Sequence, residues 1–151
     1  MKQTRHLLIA LALGTMLTSC GASVSTATVT GPAAYVDPYI GSGGHGHVFV
    51  GASVPFGAIQ AGPQNIHKGW DWCSGYHHSD SIVIGFAHTH LSGTGCTDMG
   101  DVQIMPYTGE LRSKRGRQED IGGSCSSYYS HDNESVSPGY YSLKMDNGVR
   151  I

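Results

Sequence analysis

Between Gly69 and Asp101 the chain reads GWDWCSGYHHSDSIVIGFAHTHLSGTGCTDMGD, setting Trp70, Trp72 and the pairs His77/His78 and His88/His90 among aspartates and glycines. Indoles offer flat apolar faces, and short polar side chains on glycine-rich turns bring hydrogen-bonding groups to the same place. A sugar ring has the matching surface, an apolar C–H face with a hydroxyl rim. Trp70 and Trp72 flank Asp71, so an extended segment would put both indoles on one side and the carboxylate on the other. Stacking on a ring would supply on the order of 1 kcal/mol, with Asp71 accepting hydroxyl protons. Tryptophans also pack in cores. The polar, glycine-broken run Cys73–His78 favours a site.

The chain has nine histidines, three pairs of which are His45/His47, His77/His78 and His88/His90. On a strand, His88 and His90 would share a face, as in a two-histidine metal pair, and Asp98, Asp101 or the His45/His47 loop would complete a zinc site. That reading makes the chain a histidine-rich zinc hydrolase. The reading with more support uses the same histidines as hydrogen-bonding groups around a polar ligand. The loop Gly41–His47 (GSGGHGH) lacks the Lys-Ser/Thr of a phosphate cradle, but its glycines let backbone amides approach a ligand closely. A net charge of -2 with 13% charged residues gives no electrostatic case for nucleic acid. The basic cluster Arg112, Lys114, Arg115 and Arg117 reads as a solvated loop.

Positioning such groups requires short strands and turns. Glycine makes up 22 of 151 residues, which disfavours a helical bundle. Ile82, Ile84, Phe86 and His88 alternate with Val83 and Ala87, the pattern of a strand buried on both faces. Residues 58–61 and 102–107 are further strand candidates. Tyr141, Leu143 and Met145 alternate before Asn147-Gly148, which predicts a type I′ hairpin turn and a returning strand from Val149. Because only Val149, Arg150 and Ile151 remain for that return, the pattern reads as the front of something longer.

At the N-terminus Lys2 and Arg5 precede an apolar run from Leu7 to Leu17, shorter than the roughly 20 residues of a spanning helix, and then Leu17-Thr18-Ser19-Cys20. Residues 1–19 therefore read as a lipoprotein signal peptide, with Cys20 the lipid-modified first residue of an exported bacterial chain at the periplasm, outer membrane or cell surface. Residues 20–34 are a flexible tether, and residues 35–151 are one domain. Membrane association is expected only through the lipid. With Cys20 so assigned, Cys73, Cys96 and Cys125 are an odd number and cannot all pair within the chain.

The order of motifs resembles one family. Tyr35-Val36-Asp37-Pro38-Tyr39-Ile40-Gly41 is followed by GGHGH, Val54-Pro55-Phe56-Gly57, GWDWCSGYHHSD, HTHLSGTGC and Ser137-Pro138-Gly139-Tyr140-Tyr141. From Tyr35 to Ile151 the chain looks like the N-terminal domain of glycoside hydrolase family 92, the exo-acting α-mannosidases. The resemblance implies an all-β, mutarotase-like β-sandwich, followed in complete members by an (α/α)₆ helical domain. It implies inverting hydrolysis of terminal α-mannosides of glycans, with a calcium ion held mainly by residues outside this chain. The catalytic acid and base are expected in the helical domain, about 6.5–9.5 Å apart, so that this stretch alone is inactive. His45, Trp70, Asp71, Trp72, Cys73, His88 and His90 are the positions expected to border the mannose pocket. A free-standing carbohydrate-binding lipoprotein is the competing reading.

Overall fold

A computed structural model describes residues 28–53, 57–93, 100–114 and 124–151. The expected signal peptide, Cys20, most of the tether, Cys96 and Asp98 lie outside the described residues. No helix among the described residues is long and apolar enough to cross a membrane.

The secondary structure is β with short 3₁₀ turns, as the glycine content predicts. The strands are β1 (Gly62–Asn65), β2 (Ile82–Ala87), β3 (Gln103–Ile104), β4 (Ser127–Tyr128), β5 (Glu134–Ser137) and β6 (Tyr140–Leu143). β1 pairs with β2 along one edge; β3 and β4 share the other edge of β2, and every pairing is antiparallel. β5 and β6 form a separate antiparallel pair. The expected strand at residues 58–61 contributes only a bridge between Ala61 and Ala52, and the sheet strand begins one residue later. The 102–107 candidate shrinks to β3.

All six residues of β2 are buried, as its apolar run predicts. The alternation is nevertheless broken. Gln64 faces Gly85 while Asn65 faces Val83, so Ile84 is an extra residue in the ladder. A bulge of this kind exchanges the two faces of the strand beyond it. Val83 and Phe86, on opposite faces of a regular strand, therefore both enter the core with Tyr129, Leu143 and Met145. The expectation that Ile82, Ile84 and Phe86 share a face is corrected on this ground. Gln103 closes the gap by donating its side-chain amide to the Ile84 carbonyl at 2.7 Å.

The core lies between this sheet and the β5–β6 hairpin, with Phe86 meeting Tyr141 at 6.3 Å between ring centroids. Beyond β6 the chain reverses at Asn147-Gly148 and returns. Met145 N–H donates to Val149 O at 2.9 Å, and Leu143 and Ile151 exchange main-chain bonds at 3.0 and 3.1 Å. The predicted return is present, but the turn differs from type I′. Gly148 alone has a positive φ, 87°, and Gly148 N–H bonds to Met145 O. This is the longer hairpin loop that ends in a left-handed glycine.

Gly85 has φ 152°, and a Cβ there would lie 2.5 Å from the Gln103 amide nitrogen. Gly85→Ala is expected to cost about 1–3 kcal/mol, read as a lower urea midpoint at unchanged m-value. An unchanged midpoint would contradict the role given to the bulge.

Candidate functional site

The site grows from two loops. In the first, Val48 N–H donates to Gly41 O at 3.1 Å, folding Gly41–His47 onto itself. Gly46 is required there, since a Cβ would lie against the Gly41 main chain. His47 has φ 54°, the only positive value for a non-glycine among the described residues. Such strain of roughly 1–3 kcal/mol persists where neighbours fix it, and here both ring nitrogens are engaged. Nδ1 accepts the Trp70 indole N–H at 3.0 Å and Nε2 lies 3.4 Å from Asp71 Oδ1.

The second loop carries the tryptophans. Trp70–Trp72 is one 3₁₀ turn entered from Gly69 at φ 134°, with Cys73 N–H bonded to Trp70 O. The expectation of an extended segment is thereby corrected, and its consequence reverses. Trp70 points outward at 67% exposure, while Trp72 turns inward. Its indole N–H donates to Asp80 Oδ2 at 2.8 Å, and its ring stacks on His77 at 4.3 Å. Cys73 is buried behind the turn.

His45, His47, Trp70 and Asp71 thus come together at the surface. His45 Nδ1 is 2.6 Å from Asp71 Oδ1, and the two imidazoles hold the Asp71 carboxyl below its ordinary 3.8, the His45 hydrogen bond being the largest cause. The His45 ring remains 91% exposed, free to offer its other nitrogen to a ligand. One exposed indole, one carboxylate and one outward imidazole form a small platform with an apolar face and a polar edge.

The structure does not bring His88 and His90 together as a metal pair, because β2 ends at Ala87. His88 Nδ1 bonds to Val102 O at 2.8 Å. His90 is buried, stacks on Phe49 at 5.3 Å, and has Nδ1 on Gln60 O at 2.8 Å and Nε2 on the Gln64 side chain at 3.1 Å. Burial holds its pKa below 6.5 despite hydrogen bonds to the Gln60 and Pro63 carbonyls.

A second cluster escaped the sequence reading. Glu134, its side chain wholly buried, accepts Tyr141 O–H at 2.7 Å and Tyr76 O–H at 3.1 Å, and lies 2.7 Å from His131 Nδ1. Burial is the largest cause that raises the pKa values of Tyr76 and Tyr141, followed by Tyr129 for Tyr76 and by the Glu134 carboxylate for Tyr141, and both phenols stay protonated as donors. The partners are scattered along the chain, and no local pattern marks Glu134 apart from its place in the alternating run of β5.

The same folded segment matches a known domain. The model of the glycosyl hydrolase family 92 N-terminal domain matches residues 35–151. The chain belongs to this family. Among solved structures, a family 92 α-mannosidase of Bacteroides thetaiotaomicron in complex with mannoimidazole is 43% identical with a TM-score of 0.73, over 78% of this chain and 16% of that one. A family 92 inverting mannosidase from the same organism is 26% identical with a TM-score of 0.56, over 81% of this chain and 16% of that one. An "Uncharacterized secreted glycosidase" of Arthroderma benhamiae is 32% identical over 76% of this chain and 15% of its own length. The family 92 domain seen here therefore spans about one sixth of the relatives it matches.

Calcium takes six to eight oxygen ligands. The described surface site of this family 92 domain offers one carboxylate, Asp71, already held by two imidazoles. These residues do not fit a calcium ion.

Two titrations check the site. In carboxyl NMR, Asp71 is expected to titrate below 3.8 and to move up in His45→Ala; an unmoved Asp71 would contradict the pairing. His90 binds its proton less readily folded than unfolded, so its contribution is complete above pH 6.5 and falls as pH drops below 6.5. His90→Gln is expected to flatten the acid side of the stability profile by up to about 1.4 kcal/mol per pH unit. An unchanged slope in pH-dependent urea melts would contradict it.

Proposed function

We propose that this chain is the substrate-binding front domain of an exported, calcium-dependent, inverting exo-α-mannosidase acting on terminal α-mannosides of glycans. The observation that carries the reading is the exposed Trp70 indole, fixed by His47 beside the Asp71–His45 pair. Trp70 packs on the apolar face of the sugar, Asp71 accepts hydroxyl protons, and the outward nitrogen of His45 meets a ring substituent. Trp72 turns inward to Asp80, and Cys73 and His90 are buried; the exposed platform of this reading is His45, Trp70 and Asp71. The mannosidase names of the two Bacteroides relatives support the substrate class. The secreted relative and the lipobox-like Cys20 support export and a lipid anchor.

In this reading the domain binds and orients, and the chemistry comes from elsewhere. Inversion needs a protonated carboxyl on the leaving oxygen and a carboxylate activating water. Both belong to the helical domain that the family resemblance implies, as do most of the calcium ligands.

A domain exchange tests this. With residues 35–151 in place of the corresponding segment of the 43%-identical Bacteroides enzyme, the hybrid is expected to hydrolyse α-mannosides and to lose activity with chelator. Trp70→Ala in that hybrid should lower kcat/KM roughly fivefold to tenfold, the loss of about 1–1.5 kcal/mol of stacking. A folded hybrid indifferent to Trp70→Ala would overturn the assignment.

A further inference from the structure

His45 and His47 share one carboxylate oxygen, yet their neutral rings carry the proton on opposite nitrogens. The indole N–H of Trp70 can only donate, so the His47 Nδ1 that receives it at 3.0 Å is unprotonated. The proton of that ring is therefore on Nε2, which turns to Asp71 Oδ1 at 3.4 Å. His45 has the reverse form. The Asp71 carboxylate only accepts, so His45 Nδ1 donates to it at 2.6 Å and the lone pair is on the outward Nε2.

Acidification acts on the two rings in opposite ways. His45 takes a second proton on its outward nitrogen, keeps its bond to Asp71 and gains a charge beside the carboxylate. The second proton of His47 has only Nδ1 to go to, and there it meets the indole N–H, donor against donor. Through that bond the two rings approach edge to edge, with 5.5 Å between centroids and 34° between planes. An imidazolium in this place faces the positive rim of the indole and not its negative face. Trp70 is largely exposed, so packing does little to hold the ring once the bond is lost.

The titratable groups that face His47 are Asp71 and, across the same oxygen, His45. Its other hydrogen-bonded and ring neighbours among the described residues are Trp70 and the Gly93 N–H, which bonds to His47 O at 2.7 Å, and neither titrates. Asp71 is held below 3.8, chiefly by the His45 hydrogen bond, and stays ionised over the range in which imidazoles change charge. The two histidines are therefore the groups that respond.

We propose that His47 is a positioning residue that works only as the neutral imidazole: its bare Nδ1 holds the Trp70 indole in the sugar platform, and proton uptake there releases Trp70 and weakens mannoside binding. The consequence for sugar rests on the function proposed above, whereas the release of Trp70 is a property of the chain alone. Asparagine supplies the matching control. It tolerates the left-handed backbone that His47 adopts at φ 54°, and its side-chain oxygen accepts a hydrogen bond without taking up a proton in this range.

The test follows the two indole N–H signals of the sugar-free chain by NMR from pH 8 to pH 5. The Trp70 signal is expected to leave its hydrogen-bonded position as pH falls, while Trp72, bonded to Asp80, stays in place. In His47→Asn the Trp70 signal should hold its position across the range. In His45→Ala the transition should remain, which assigns it to His47. Imidazole ¹⁵N spectra at pH 8 should show His47 protonated at Nε2 and His45 at Nδ1. In calorimetric titrations with methyl α-mannoside, affinity should fall roughly threefold to tenfold from pH 8 to pH 5, the loss of one hydrogen bond, and should fall less in His47→Asn. A Trp70 signal indifferent to pH, or a transition that survives in His47→Asn, would overturn the proposal. So would His47 protonated at Nδ1 at pH 8, which the unsubstituted chain decides even where His47→Asn unfolds. A Trp70 transition with no mannoside binding at any pH would overturn the sugar reading and leave the release of Trp70 standing.

Discussion

The buried carboxylate of Asp80 is the constraint on which the arrangement of this domain depends. Its Oδ1 accepts the main-chain N–H groups of Ser81 and Ile82 at 2.8 and 3.1 Å, which starts β2. Its Oδ2 accepts the Trp72 indole at 2.8 Å and pairs with Lys68 at 3.0 Å. The central strand and the tryptophan turn are thereby fastened to one side chain that is 2% exposed. Lys68 is partly exposed, so the ion pair itself adds little net stability, but breaking it strands the buried Asp80 charge. Its effect is to define geometry: with Trp72 held inward, the short turn leaves Trp70 outward. Asn65 provides a second fastening, taking His77 N–H on Oδ1 and giving its amide to Ile82 O, each at 2.8 Å.

From these anchors the site follows as a consequence of packing. The domain keeps its aromatic and imidazole groups on glycine-rich loops, where no regular ladder dictates their direction, and fixes them by hydrogen bonds to buried acids and carbonyls. His47 in its left-handed conformation, gripped by Trp70 and Asp71, is one case; His90, held between Gln60 and Gln64, is another. Glu134 repeats the device at the hairpin. All of these fixed groups lie within residues 35–151, the stretch that matches the glycoside hydrolase family 92 N-terminal domain.

Much of this was legible in the residues. The apolar run of β2 and the alternation into Asn147-Gly148 announced buried strand and hairpin, because burial period and turn chemistry are local properties. The motif order carried the family. The bulge at Ile84 was not legible, since Gly85 reads as any strand glycine until Gln103 is found against it. The tryptophan pair was misplaced for a related reason. Three residues with two polar neighbours carry no period, and a 3₁₀ turn or an extended segment fits them equally until Asp80 selects one. The Glu134 cluster gathers residues 76, 131, 134 and 141, and separation along the chain conceals it.

The central claim is that Trp70, set outward by the Asp80 anchor, is the sugar-facing group of the domain. NMR titration of the chain with methyl α-mannoside tests it most directly, following the two indole N–H signals and the His45 ring. The account predicts that Trp70 and His45 shift together and saturate at one common concentration while the inward-turned Trp72 stays still. Movement of Trp72 alone, or no movement of Trp70 at any sugar concentration, would contradict it.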